Sequence, residues 1–326
     1  MLSRVANSIY WMSRNIERAE NYARFIQVNL NLSPDLPEGT VEQWEPLVMT
    51  TGDQNLFKAQ FSESTRDHVI HFLTADPKNP NSILSCLNAA RENARSVREI
   101  ISSEMWEQVN RFYLAVKEAV SGNVVMQNPH AFFTKVKEGS HLFVGITDAT
   151  MSHGEGWHFN RIGRLIERAD KTSRILDVKY YFLLPSVRDV GTSLDNSQWA
   201  ALLSSASALE MYRKRYGPIS PNRVAEFLVL APEFPRAIQY CLIKAADSLH
   251  AISGSELGLY QNLAERRLGR LQAELAYADV DEIMSGGLHE FLDSFQAKLN
   301  LVGEAIAETF FTLRPVGTSL LQQEEQ

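Results

Sequence analysis

An eleven-residue stretch, Arg14-Asn15-Ile16-Glu17-Arg18-Ala19-Glu20-Asn21-Tyr22-Ala23-Arg24, returns 150 positions later as Arg164-Leu165-Ile166-Glu167-Arg168-Ala169-Asp170-Lys171-Thr172-Ser173-Arg174. Six of the eleven positions are identical, and Glu20 and Asp170 keep their charge. Around the first copy Leu2, Val5, Ile9, Met12, Ile16, Ala19, Ala23, Ile26 and Leu30 recur every three or four residues, the period of one long amphipathic helix. A second long helix carries the second copy and stops before Pro185.

The self-similarity continues at an offset of 155. Gln43, Trp44, Leu47, Val69, Phe72, Leu73, Pro77, Pro80, Ile83, Cys86, Leu87 and Ala90 are repeated as Gln198, Trp199, Leu202, Val224, Phe227, Leu228, Pro232, Pro235, Ile238, Cys241, Leu242 and Ala245. Twelve identities in forty-eight positions stand against roughly three expected by chance. The expected architecture is all-α: a helical bundle of two pseudo-symmetric repeats, 1–148 and 149–326, forming one domain. The five-residue shift falls in the loop after each long helix, where insertions cost little.

Between these helices the punctuation is strong. Pro34, Pro37 and Gly39 form a loop, a helical pattern resumes near Trp44, and Ser62 to Thr74 reads as a helix. Asn81 or Ser82 caps a helix with the stripe Ile83, Leu87, Ala90, Ala94, Val97 and Ile101, which reads on through Trp106 to Ala119. Asn128-Pro129 is a cap followed by a first-turn proline, opening a helix to about Thr147. Further helices are expected at 195–215, 221–230, 234–252, 257–276 and 288–312, with a frayed tail from Leu320 to Gln326 and no period-2 strand.

Composition narrows the function. A net charge of -7 argues against a nucleic-acid surface, and no apolar run approaches the roughly 18 residues of a membrane span. Two cysteines without C-x-x-C spacing fit a reducing cytoplasm, and their matched apolar settings mark Cys86 and Cys241 as core residues. There is no H-E-x-x-H, P-loop, G-x-S-x-G or G-x-G-x-x-G, so neither a cofactor nor a nucleophile with its base can be named. The pairs Glu155/His158, Asp247/His250 and His68/His71 are too few for a di-iron bundle, and no metal is expected.

Two charged features remain. On a helical wheel Arg14, Glu17, Asn21 and Arg24 share a stripe opposite the apolar one, as do Arg164, Glu167, Lys171 and Arg174. They form either a surface ladder or a buried polar network of Glu17, Arg18, Arg24, Glu167, Arg168 and Arg174. Repetition of the stripe favours the network. If the two helices face each other, Glu17 meets Arg168 or Arg164, and Glu167 meets Arg18 or Arg14. The second feature is the row Arg91, Arg95 and Arg98, replaced by Ala246, His250 and Ser253 at the offset of 155. Three arginines on one stripe need acids or an anion; Glu92 and Glu99 can supply the first, and an anionic ligand, which Arg14 and Arg164 could also help hold, the second.

The opening from Met1 to Glu20, the segment Ala90-Arg91-Glu92-Asn93-Ala94-Arg95 with Arg98, Ser102 and Trp106, and the run from Gly163 to Asp170 resemble the bacterial alpha-E family across the whole chain. The resemblance implies an all-helical fold with Glu17-Arg18 and Glu167-Arg168 as its Glu-Arg motifs. It implies as partners an ATP-grasp ligase and a transglutaminase-like peptidase encoded nearby, in a system that tags, ligates or processes peptides. No catalytic role comes with it. The expected function is a non-catalytic accessory or scaffold binding those partners or their peptide substrate; the alternative is an enzyme acting on a peptide or amide through an Arg/Glu anion site.

Overall fold

Residues 1–32, 44–181 and 192–312 are described by the computed structural model. Among them the chain forms helices and no strand: α1 Ser3–Leu32, α2 Glu45–Thr51, α3 Gln54–Lys58, α4 Arg66–Thr74, α5 Ile83–Ser96, α6 Ser103–Ser121, α7 Val124–Gln127, α8 Pro129–Thr150 and α9 Glu155–Tyr181. There follow α10 Ser193–Ser205, α11 Leu209–Tyr216, α12 Pro221–Leu230, α13 Ile238–Ser253, α14 Leu263–Ala276, α15 Val280–Gly286 and α16 Leu288–Ile306, which runs into one wider π turn, Ala307–Phe311. The expected loop at Pro34, Pro37 and Gly39, the stop at Pro185 and the tail from Leu320 lie outside the described residues.

Helix starts follow local chemistry. Ser82 Oγ accepts from Ser85 N at 3.3 Å and Asn128 Oδ1 from Ala131 N at 3.3 Å, each satisfying an amide that the first turn leaves open. The expected continuation of α5 to Ala119 is broken instead. Ser102 Oγ accepts from Met105 N at 3.1 Å and starts α6 afresh, so that α6 folds back against α5 and α8. The expected helix at 195–215 is likewise two, divided at Ser207, whose φ of 50° no helix can hold. The helices expected from 234 and 257 start later, at Ile238 and Leu263, and α15 has no counterpart in the periodicity.

α1 and α9 lie side by side and run in the same direction. The Met1 amino group meets Glu155 at 2.6 Å near one end, and Lys171 lies 5.9 Å from the Tyr22 ring centre further along. At Gly163 the backbones come so close that a Cβ would stand 2.4 Å from the Tyr10 carbonyl oxygen; only glycine allows the approach. α5 and α8 pack on α1, and α13 and α16 on α9. Both faces of α1 are therefore covered: Ile9, Met12, Ile16, Ala23 and Ile26 on the apolar side, and Glu17, Glu20, Asn21 and Arg24 on the charged side, are all buried. A helix this enclosed cannot leave its charges to water, so they must pair.

Candidate functional site

The buried charges of α1 and α9 pair across the helix contact. Glu17 accepts from Arg168 Nε at 2.9 Å and Nη2 at 2.8 Å, a two-pronged grip matched to a carboxylate, and from Arg236 Nη1 at 3.3 Å. Glu167 accepts from Arg18 Nε at 2.6 Å and Nη2 at 3.0 Å, and from Arg14 Nε at 2.8 Å. Each helix gives its carboxylate to the other's arginine. Glu17 is 1% exposed and Glu167 0%, so these pairs lie inside the molecule, where loss of one partner strands the other.

A turn further along, each helix has a second acid. Asp170 accepts from Lys171 at 2.7 Å and Arg174 Nε at 3.0 Å, and Arg174 Nη1 donates to the Thr50 carbonyl at 3.0 Å. Glu20 accepts from Arg24 Nε at 2.9 Å and Nη2 at 2.7 Å, from Arg236 Nη2, and from Ser140 Oγ at 2.6 Å. Arg24 Nη1 donates to the Ser205 carbonyl at 3.0 Å and to Ser207 Oγ at 2.6 Å. Beside Arg18, Asn81 accepts from Nη1 at 2.8 Å and donates to Asp53 at 3.1 Å, which also accepts from Tyr22 at 3.2 Å.

Burial alone would raise the pKa of every one of these carboxyls. The cations overcome it: Arg168 holds Glu17 below the usual carboxylate range, Arg236 holds Glu20 well below it, Arg18 does so for Glu167, and Lys171 with Arg174 for Asp170. For Arg236 burial and repulsion from Arg24 push the value down to about 10, and for Arg164 burial and Arg168 do the same. Arg164 Nε and Asn160 Nδ2 have no hydrogen-bond partner among the described residues.

Of the candidate residues, Arg14, Glu17, Arg18, Arg24, Glu167, Arg168 and Arg174 thus come together, with Arg164 half-buried a turn before Arg168 on α9. Arg91 and Arg95 lie elsewhere, on α5, and Arg98 in the turn after it. Arg91 Nε donates to Asn110 at 2.7 Å, Arg91 and Arg95 share Glu92 at 3.1 and 2.6 Å, and Arg98 stands 4.8 Å from the Trp106 ring centre. The acid-histidine pairs are not assembled either: Asp247 pairs with Lys244 at 3.0 Å, and His250 bonds to Ser255 at 2.7 Å. No group of three or more metal-ligating side chains occurs among the described residues. Burial pushes both thiols up to about 12, so neither is a ready nucleophile.

Sequence reasoning missed Arg236, Ser140, His141, Asp53 and Asn81. For Arg236 a signal existed, since it replaces Asn81 directly after the matched prolines, Pro80 and Pro235. Ser140 and His141 carry none; they reach Glu20 only because α8 packs on α1.

These features define an all-helical protein centred on two parallel helices that exchange Glu-Arg pairs. The chain belongs to the Alpha-E family, described as a predicted alpha-helical domain with a conserved ER motif, which it matches over residues 1–311. An uncharacterised protein of Mycobacterium bovis is 23% identical over 336 aligned positions, covering 95% of this chain. Uncharacterised proteins of two Mycobacterium tuberculosis strains are 23% and 22% identical over the same share. The chain spans 37% of the length of these relatives. No solved structure matches it at a significant level. Among the described residues no helix is long and apolar enough to cross a membrane.

Proposed function

We propose that this protein is a non-catalytic helical scaffold of a cytoplasmic bacterial peptide-ligation or peptide-processing system, docking an ATP-grasp ligase, a transglutaminase-like peptidase or their peptide substrate. The observation that carries the reading is the closure of the central pairs: Glu17 and Glu167 are buried and each is gripped by arginines of the opposite helix. Groups locked in that way hold two helices in register and leave little reach for a substrate. The longer relatives agree with it, since in them the stretch that aligns with this chain shares its polypeptide with other sequence.

The cross-pairing also supports an origin by duplication, with units 1–148 and 149–326 and an I-E-R-A motif on each long helix. Arg24 reaches the Ser205 carbonyl as Arg174 reaches that of Thr50, and 50 and 205 differ by the offset of 155 seen in the sequence. Co-purification tests the docking reading. Tagged protein should retain the ATP-grasp or transglutaminase-like protein encoded beside it at near-physiological salt, and retention of neither would overturn it.

A further inference from the structure

A carboxylate oxygen has room for about two hydrogen bonds. Glu20 Oε1 stands within reach of Arg24 Nε at 2.9 Å, Arg24 Nη2 at 2.7 Å and Arg236 Nη2, and also of His141 Nε2 at 3.2 Å. The other oxygen accepts from Ser140. With the His141 proton on Nε2, five donors meet the roughly four lone-pair sites of this carboxylate.

Charge is uneven in the same place. Glu17 and Glu20 face Arg24, Arg168 and Arg236, and one turn before His141 on α8 stands Lys137, half-buried and without an ion-pair partner among the described residues. On the other side of the helix pair Asp53 supplies a third acid; 155 positions later stands Ala208, fully buried and uncharged. The whole chain carries -7, so this excess of cations is local. It also opens to water: the His141 side chain is 58% exposed, and its Nε2 lies 3.2 Å from Arg24 Nη2.

We propose that the Glu20 end of the network binds an oxyanion, a carboxylate or phosphate group, at the solvent edge formed by Lys137 and His141, with Arg24 and Arg236 buried behind them. The incoming anion answers the Lys137 charge and supplies the acceptor that crowded Glu20 cannot. Burial and the neighbouring Arg24 both push the Lys137 amine down from its usual range, and the pull of Glu20 and Glu138 does not offset them. The docking function does not depend on this site, and either can fail alone.

The test is isothermal titration of the full chain with inorganic phosphate and, separately, with acetate, at ionic strength held constant by chloride. Saturable binding of at least one is expected, weakened about tenfold or more by Lys137→Glu or His141→Ala, a loss of about 1.4 kcal/mol. Arg95→Glu, on the distant row, should leave it unchanged. Both site variants change side chains at the solvent edge, and superimposable melting curves would establish that they fold. Binding of phosphate alone, or of acetate alone, supports the site and names its ligand group. Saturation by neither anion up to roughly 20 mM, or equal affinity in both site variants, would overturn it.

Discussion

The two ends of the central network share a skeleton and differ in how they are balanced. At the Glu167 end, Glu167, Asp170 and Asp53 face Arg14, Arg18, Lys171 and Arg174, and the second cation layer comes from within α9 itself, at Lys171. At the Glu17 end, Asn21 stands in the place of Lys171, and the cation arrives instead from the turn before α13, as Arg236. An acid is missing there, because Ala208 stands where Asp53 would. By that count the Glu167 end has four cations to three acids, and the Glu17 end, with Arg24, Arg168, Arg236 and Lys137 about Glu17 and Glu20, has four to two. The end with the larger excess is the one with chemical capacity to spare.

Acid should break both ends at once. The folded pKa values of Glu17, Glu20, Glu167 and Asp170 are all depressed. Their contribution is therefore fully present above the unfolded values, about 4.3 for Glu and 3.9 for Asp, and is lost as pH falls below these toward the folded ones. Urea midpoints should be level between pH 5 and 7 and fall steeply below about pH 4; a level profile down to about pH 3 would contradict the buried pairing.

Single removals come next. Glu17→Ala strands Arg168, and Glu167→Ala strands Arg14 and Arg18, so each should cost about 3–5 kcal/mol in urea denaturation. A large loss from one and none from the other would show that only one end holds the fold. Gly163→Ala forces a methyl against the Tyr10 carbonyl and should cost about 1–3 kcal/mol. Gly145→Ala in α8, where nothing lies within 4 Å, should be neutral or stabilise by up to about 1 kcal/mol. Smallest of all, Arg95→Ala on the exposed row should change stability by less than about 0.5 kcal/mol. A larger loss would mean that this row, and not only the central network, supports the fold.

Much of the scaffold was legible in the residues. The three-to-four period from Leu2 to Leu30 gave α1, and Ser82 and Asn128 marked helix starts because their side chains satisfy open amides locally. The break before Ser102 was missed, since an apolar stripe through Ile101 and Met105 persists across it, although the Ser102 cap that starts α6 is itself a local signal. The repeated Glu-Arg stretch pointed to pairing between Glu17 and Arg168 or Arg164. Which arginine takes the carboxylate was a matter of helix register: Arg168 grips it, while Arg164 Nε is left without a partner.

By itself, then, the sequence determined the helical class and the two long helices, and favoured burial of the repeated charged stretch, because periodicity, caps and a repeated pattern act over a turn or two. Only the tertiary structure decided which charges are in balance. Arg236 lies 216 residues from Glu20 and His141 lies 121, and no local pattern relates them. They meet because α8 and the turn before α13 close over a carboxylate that water cannot reach, and there the count of donors against acceptors becomes a property of the packing.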